Sequence, residues 1–132
     1  MKKLTLKFGG TSVGSIEKIK NVANIIKKRK EEGNAIIVVV SAMAGATNEL
    51  KNKSDLIAKS FDDKELDTLL ASGEQISSSL LSGAIIDLGI KARSWLGWQI
   101  PIFTDSNHTA SKIIQIKTTE IIKFISEGGV AV

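Results

Sequence analysis

The stretch Ala35–Val40, AIIVVV, constrains the fold more than any other part of this 132-residue sequence. It is apolar without a break and consists almost entirely of β-branched residues. A strand with one exposed face alternates apolar and polar residues, whereas a strand buried on both faces reads as a continuous apolar run. We therefore predict that residues 35–40 form a central strand of a parallel sheet that is covered on both faces.

The residues before this strand complete a strand–helix–strand unit. Lys3–Phe8 alternates apolar and polar residues, which predicts a first strand. Ser15 can cap the helix that follows. The apolar face of that helix repeats at helical spacing and contains Ile16, Ile19, Val22, Ala23 and Ile26. Two strands joined through a helix lie parallel, so the fold class is predicted to be α/β with a mainly parallel sheet.

Two further helices are predicted in the middle of the chain. The first runs towards Ser60 and begins at a cap supplied by Thr47 or Asn48. The second covers about residues 63–88. At its start, Asp62 is followed three positions later by Glu65, which is the spacing of a capping box.

Shorter elements are predicted in the last third. They are strands near residues 91–95, 100–104 and 112–116, and a helix capped by Thr118 or Thr119. Trp95 and Trp98 are interpreted as packing anchors. Val130–Val132 has the composition of a buried strand. Because three residues make a poor terminal strand, we expect residues 1–132 to be the N-terminal portion of a larger domain, with no linker or second domain.

Composition argues against several classes of function. The 18 basic and 14 acidic residues give a net charge of +4, but the one dense basic run, residues 27–30, falls in the last turn of a predicted helix. Cations there complement the helix dipole, so we expect no nucleic-acid partner. The chain has no cysteine, no signal-peptide core and no apolar run near the roughly 20 residues of a membrane helix. These features predict a cytoplasmic protein without a membrane partner.

Residues 7–14, KFGGTSVG, have the composition of an anion-binding loop. The spacing of Gly9, Gly10 and Gly14 matches neither the Rossmann nor the Walker A pattern. Glycines still allow unusual φ values and a close approach of backbone N–H groups to an anion, and the next helix points its positive end there. Lys7 can place its ammonium against phosphates. The alternative is a tight strand-to-helix turn with an exposed lysine.

Residues 41–48, SAMAGATN, follow the second predicted strand. In open α/β sheets ligands bind at the carboxyl ends of the strands, so this loop and residues 7–14 should meet at one edge. Ser41, Thr47 and Asn48 could hold a small polar substrate or phosphate oxygens. Helix capping by Thr47 or Asn48 is the alternative role.

Glu74 lies in line with an apolar stripe of the predicted helix 63–88. On a helical wheel it falls close to Leu81 and Ile85. A carboxylate there either faces a polar cavity and pairs with a cation, such as the amino group of a ligand, or lies at the stripe's edge and reaches water. His108 is the only histidine, so we predict no metal site and interpret it as a loop residue rather than a general base.

Four segments together resemble aspartate kinase, a member of the amino acid kinase family. They are KFGGTSVG at 7–14, VVVSAMAGATNEL at 38–50, LLASGEQIS at 69–77 and GWQIPIFTDSNH at 97–108. The resemblance implies a three-layer α/β/α fold. It also implies phosphoryl transfer from ATP to the side-chain carboxylate of L-aspartate, with Mg²⁺ as a cofactor. That reaction opens the biosynthesis of lysine, threonine and methionine.

The resemblance also implies roles for individual residues. Contacts with ATP or its phosphates are implied for Lys7, Phe8, Gly9, Gly10 and Ser41. Lys7 would be catalytic, because it would stabilise charge on the transferring phosphoryl group. Thr47 would contact the substrate through its hydroxyl, and Glu74 would receive the substrate's amino group.

The family's kinase domain continues well beyond the length of this chain, so the resemblance implies a fold that is incomplete at its C-terminal end. A glycine-rich segment, an arginine for the substrate carboxylate and a catalytic aspartate would follow Val132. We therefore expect the chain to lack kinase activity by itself and a complete form to be a homo-oligomer. Two alternatives stay open: another amino acid kinase acting on glutamate or acetylglutamate, and a non-catalytic remnant that binds a partner chain.

Overall fold

The two predicted strands of the N-terminal unit are paired in a parallel sheet. The computed structural model describes residues 2–132, in which β1 spans Lys3–Phe8 and β2 spans Ala35–Val40. Their register runs from Lys3 opposite Ala35 to Phe8 opposite Val40. Both strands have the predicted bounds.

The sheet has four parallel strands in the order β1-β2-β6-β3. Strand β6, Val130–Ala131, lies between β2 and the short strand β3, Ala92–Arg93. Val130 is opposite both Ile36 and Ala92. The prediction of a buried strand at 130–132 is therefore confirmed, and the strand predicted over 91–95 is shortened to two residues.

One face of the sheet is covered by helices α1, Ile16–Glu31, and α3, Asp63–Asp87. The helix α2, Ala46–Ile57, packs against α3. The core between the helices and this face includes Val13, Ile19, Val22, Ala23, Ile26, Ile36, Val38, Leu81, Ile85 and Val130. Ile16 was predicted to belong to the buried stripe of α1, but it is the first residue of the helix and is 53% exposed, so the buried stripe begins at Ile19.

The other face carries helix α4, Thr119–Ser126. Its Ile121 and Ile125 pack on Ala35 and Ala131, which gives the molecule a third layer. The predicted three-layer α/β/α arrangement with a mainly parallel sheet is confirmed. On this same face, near the carboxyl end of β2, Val39 is 48% exposed.

Strands β4, Ile102–Thr104, and β5, Ile113–Ile116, form a separate antiparallel pair. Before them, Trp95 packs edge-on against Phe124 with 5.7 Å between ring centroids, as expected of a packing anchor. Trp98 is 66% exposed, so its interpretation as an anchor is wrong. It lies in the turn that leads into the antiparallel pair.

Three of the four predicted caps lie at the start of their helices, and two of these three accept a side-chain hydrogen bond. The Ser15 side chain accepts a hydrogen bond from the Lys18 N–H, and the Asp62 side chain accepts from the N–H groups of Lys64 and Glu65. Helix α2 instead has Gly45 at its N-cap, with φ at +83° and no side-chain acceptor. The prediction that Thr47 or Asn48 caps α2 is therefore wrong, because a glycine turn starts the helix earlier. Thr118 occupies the cap position of α4, as predicted, without a side-chain hydrogen bond.

Candidate functional site

Two loops meet where β1 and β2 end. The first loop, residues 9–15, leads from β1 into α1, and the second loop, residues 41–45, leads from β2 into α2. The Ser41 N–H donates to the Phe8 carbonyl at 3.2 Å, and the Ala44 N–H donates to the Gly10 carbonyl at 3.1 Å. The predicted convergence of the two loops at one edge of the sheet is thus a direct backbone contact.

Gly9 and Gly10 of the first loop differ in how closely other atoms approach them. A Cβ on Gly10 would lie 2.8 Å from the Ala42 carbonyl oxygen, so only glycine allows the loops to approach this closely. A Cβ on Gly9 would meet nothing within 4 Å. Neither residue has a positive φ, so the expectation of unusual φ values here is wrong and close approach is what requires Gly10.

An open hollow of about 360 Å³ lies between the loops. The residues that line it are Gly10, Thr11, Ser41, Ala42, Met43, Ala44, Gly45, Thr47 and Asn48. Four residues predicted for a ligand site, Gly10, Ser41, Thr47 and Asn48, are therefore brought together. The start of α2 also faces this hollow, and no side chain caps its first turn. Hydroxyls and free backbone N–H groups in one concavity are the donors that a phosphate or carboxylate requires.

Lys7 and Phe8 flank the hollow rather than line it. Lys7 is exposed on the face of β1 that carries no helix, opposite Val39 in register. Its ammonium forms no hydrogen bond or ion pair with any side chain or carbonyl of residues 2–132. Phe8 points to the other face and packs on the core. Phe8 can therefore serve the site only through its backbone, whereas the charge of Lys7 is available to a ligand.

Glu74 is linked to the second loop. Its Oε1 accepts a hydrogen bond of 3.1 Å from the Ala42 N–H. Leu81 and Ile85 are buried as the wheel predicts, but Glu74 itself is exposed. The neighbouring Gly73 is buried, and a Cβ there would lie 2.9 Å from the Cβ of Ala42. Helix α3 thus approaches the second loop as closely as the first loop does.

Next to Glu74 lies an apolar cavity of about 400 Å³ that the sequence did not predict. Its walls are the carboxyl-terminal part of β2, the α3 residues Glu74, Gln75 and Ser78, and the segment around Trp95 and Trp98. Glu74 therefore borders the cavity and also contacts the second loop. The paired tryptophans around Gly97 were the only signal of this cavity in the sequence.

A cation beside the first loop was also missed. The Lys18 ammonium donates to the Thr11 carbonyl at 3.0 Å. A lysine in the first turn of a helix opposes the helix dipole, and this unfavourable placement was the available signal. Lys18 therefore adds positive charge beside Thr11, which lines the hollow.

His108 is engaged away from the hollow. Its Nδ1 lies 2.7 Å from Oδ2 of Asp67 on α3, and the Thr109 N–H donates to the same carboxylate. The hydrogen bond with His108 lowers the pKa of Asp67 below its ordinary value of 3.8, and the Thr109 N–H adds a smaller effect in the same direction. The interpretation of His108 as a loop residue fits, since this contact holds the loop between β4 and β5 against α3. Within residues 2–132, no three His, Asp or Glu side chains are grouped to hold a metal ion.

None of the helices in the described part of the chain is both long and apolar enough to cross a bilayer. The longest, α3, has 25 residues, but its composition places charged residues in its first turn and polar serines through its middle. The chain therefore contributes no membrane-spanning helix over residues 2–132.

Comparison with known proteins finds one family over nearly the whole chain. Residues 2–132 match the profile of the amino acid kinase family. The chain is 44% identical over 126 residues to the aspartokinase of Geobacillus stearothermophilus, a match that covers 96% of this chain and 31% of that protein. The chain thus spans about a third of the length of the curated relatives it matches.

Solved structures give the same relationship. The aspartate kinase from Synechocystis superposes with a TM-score of 0.85 at 35% identity, covering 98% of this chain and 21% of that one. Aspartokinase III of E. coli, in complex with aspartate and ADP, superposes with a TM-score of 0.79 at 18% identity. The superposition covers 99% of this chain and 40% of the E. coli protein, and it supports the fold alone.

Proposed function

The chain belongs to the amino acid kinase family, and we propose that it is the part of an aspartate kinase that binds L-aspartate and the phosphates of ATP. The reaction would transfer the γ-phosphoryl group of ATP to the side-chain carboxylate of L-aspartate. The observation that carries the proposal is the Glu74–Ala42 contact, which places an exposed carboxylate beside a hollow rich in hydrogen-bond donors. An amino acid offers the matching groups, an ammonium for Glu74 and a carboxylate for the donors.

Besides Glu74, five predicted site residues have roles that their positions support. Thr47 and Ser41 line the hollow and can donate hydroxyl hydrogen bonds to carboxylate or phosphate oxygens. Gly10 keeps the two loops in contact, and Gly9 leaves open space for a phosphate to approach the backbone. Lys7, whose ammonium has no partner among residues 2–132, would neutralise charge that develops on the transferring phosphoryl group.

The nucleotide and its metal would arrive together. Among the described residues no cluster of three acidic or histidine side chains could hold a metal by itself. Mg²⁺ is commonly bound through substrate phosphates with only one or two carboxylates from the protein. We therefore propose that Mg²⁺ enters as its ATP complex. The chain's contribution would be the donors of the hollow and the charge of Lys7.

The wider setting follows from the same proposal. A kinase of this type would act in the cytoplasm at the entry to lysine, threonine and methionine biosynthesis, and the complete protein would be a homo-oligomer. Because the chain spans about 31% of its curated relatives, we also propose that turnover requires residues that correspond to their remaining length.

The test compares the chain alone with a chimera. In the chimera, residues 1–132 replace the equivalent segment of the Geobacillus stearothermophilus aspartokinase. We expect ADP release that depends on L-aspartate from the chimera and none from the chain alone. Lys7→Ala in the chimera should lower kcat by about a hundredfold or more, as expected for loss of a group that stabilises developing charge.

Lys3→Ala is the matched control, because Lys3 is an exposed lysine on the same face of β1, at its other end. It should leave kcat within about twofold, since a charge so far from the loops is screened by solvent. A chimera that prefers L-glutamate or N-acetylglutamate would support the other amino acid kinase. A chimera that turns over no amino acid would support the non-catalytic remnant.

A further inference from the structure

We propose that Glu74 is also a positioning residue, because it fixes the second loop through the Ala42 N–H. Occupancy of Glu74 by an amino group would then be coupled to the shape of the phosphate-facing hollow. The coupling, though not the positioning role, depends on the proposed function, in which the ligand of Glu74 is an amino acid.

The backbone of the second loop is held by three different elements. Ser41 donates its N–H to β1 through the Phe8 carbonyl, and Ala44 donates to the first loop through the Gly10 carbonyl. Between them, Ala42 donates to Glu74 on α3. The Glu74 carboxylate is therefore the acceptor through which α3 holds the backbone of this loop.

Ala42 is almost completely buried, although it also borders the hollow. It is 4% exposed, its Cβ faces Gly73, and its carbonyl oxygen faces Gly10. A buried N–H that loses its acceptor is costly, and water has little access here to replace the lost partner. Removal of the Glu74 carboxylate should therefore shift the second loop, and with it Ser41 and Thr47 in the lining of the hollow.

The two oxygens of Glu74 can serve two partners. Oε1 is engaged by the Ala42 N–H, and the carboxylate makes no other hydrogen bond with residues 2–132. Oε2 and the negative charge remain for an ammonium group. Glutamine at this position would keep a carbonyl oxygen for the Ala42 N–H and lose only the charge. The positioning role and the binding role can thus be separated by substitution.

The first arm of the test measures hydrogen exchange of backbone amides by NMR in the 132-residue chain. In Glu74→Ala, we expect the Ala42 amide to exchange about tenfold faster or more, as follows from loss of a hydrogen bond to a charged group. In Glu74→Gln, Ala42 should stay within about threefold of the wild type. The Ile85 amide of α3 reports on whether the helix remains folded in each variant.

Glu49→Gln is the control for removal of a surface carboxylate. Glu49 is exposed on α2 and pairs only with Lys53, at 2.8 Å. It should leave exchange at Ala42 unchanged. Unaltered Ala42 exchange in Glu74→Ala, with the Ile85 amide still protected, overturns the positioning role.

The second arm measures steady-state kinetics of the same variants in the chimera. Glu74→Gln should raise KM for L-aspartate about tenfold or more and leave KM for ATP near the wild-type value, because the loop stays in place. Glu74→Ala should raise both constants. Equal KM values for ATP in the two variants overturn the coupling.

The hydrogen-exchange experiment and the kinetic experiment test different parts of the proposal. A wild-type chimera that turns over no L-aspartate overturns the proposed function, and the coupling with it. The exchange experiment requires no turnover, so it decides the positioning role whatever the substrate proves to be.

Discussion

The core under helices α1 and α3 and the β4–β5 pair are both rich in isoleucine, but the isoleucines are buried in the first region and exposed in the second. Ile26 of α1 and Ile85 of α3 are 0% exposed, whereas Ile113 and Ile114 of β5 are 61% and 71% exposed. The covered face has α1 and α3 packed against it, and the antiparallel pair has no layer over its isoleucines within residues 2–132. Isoleucine therefore stabilises the first region through burial and contributes little burial to the second.

Replacing one isoleucine in each region should give the largest contrast. Ile85→Ala should lower the free energy of unfolding by about 2–5 kcal/mol, because it removes buried methylene groups and leaves a cavity in a close-packed core. Ile114→Ala should change it by less than about 1 kcal/mol, since little burial is lost. Urea denaturation followed by circular dichroism measures both. Similar losses in the two variants would mean that β5 is buried in solution.

Two glycines of α3 extend the comparison to the loops. Gly73→Ala should destabilise the chain by about 1–3 kcal/mol, because its Cβ would lie 2.9 Å from that of Ala42. Gly83→Ala is the matched control, since a Cβ there meets nothing within 4 Å. It should stabilise the helix by about 0.5–1 kcal/mol through the better helix propensity of alanine. Thermal denaturation of the pair gives the two signs, and a stabilising Gly73→Ala would refute the close packing of α3 on the second loop.

The smallest effect is expected where the loop between β4 and β5 is held to α3 by polar contacts. Asp67→Asn should make the Thr109 amide exchange about threefold faster, which is the scale of an exposed ion pair. The pKa of Asp67 is lowered in the folded state, so its contribution is fully present above the ordinary value of 3.8 and is lost as the pH falls through the lowered one. The difference in protection factor between wild type and Asp67→Asn should therefore vanish in acid.

Asp87→Asn is the control for this effect, because Asp87 is exposed at the other end of α3. It should leave the protection factor of Thr109 unchanged at every pH. A difference for Asp67→Asn that persists below the lowered pKa would show that the charge of Asp67 does not hold the loop.

The elements that the sequence predicted best are those whose burial has a simple period. The continuous run of β2 and the alternation of β1 gave exact strand bounds, and the capping signals at Ser15 and Asp62 located α1 and α3. Ile16 and Trp98 were misjudged, because whether an apolar side chain is covered depends on which other element reaches it. The left-handed Gly45 cap was missed because side-chain caps at Thr47 and Asn48 competed with it in the sequence.

The candidate site was predictable in outline for a similar reason. Parallel strands bring their following loops to one edge, which placed Gly10, Ser41 and Thr47 together. The role of Ala42 was not predictable, because an alanine carries no chemical signal and its contacts come from the first loop and α3, which are distant in sequence. The apolar cavity also depends on tertiary placement, since β2, α3 and the Trp95 segment form it jointly.

The position of β6 has a consequence for the order in which the chain folds. Strand β2 pairs with β1 across a single local helix, but its other neighbour in the sheet, Val130, lies about ninety residues further along from Ile36. Closing so long a loop is slow compared with local pairing. We expect the β1–α1–β2 unit to form early. The edge of β2 that later pairs with β6 then stays unpaired until β6 is added. During that interval, association with other chains competes with the arrival of β6.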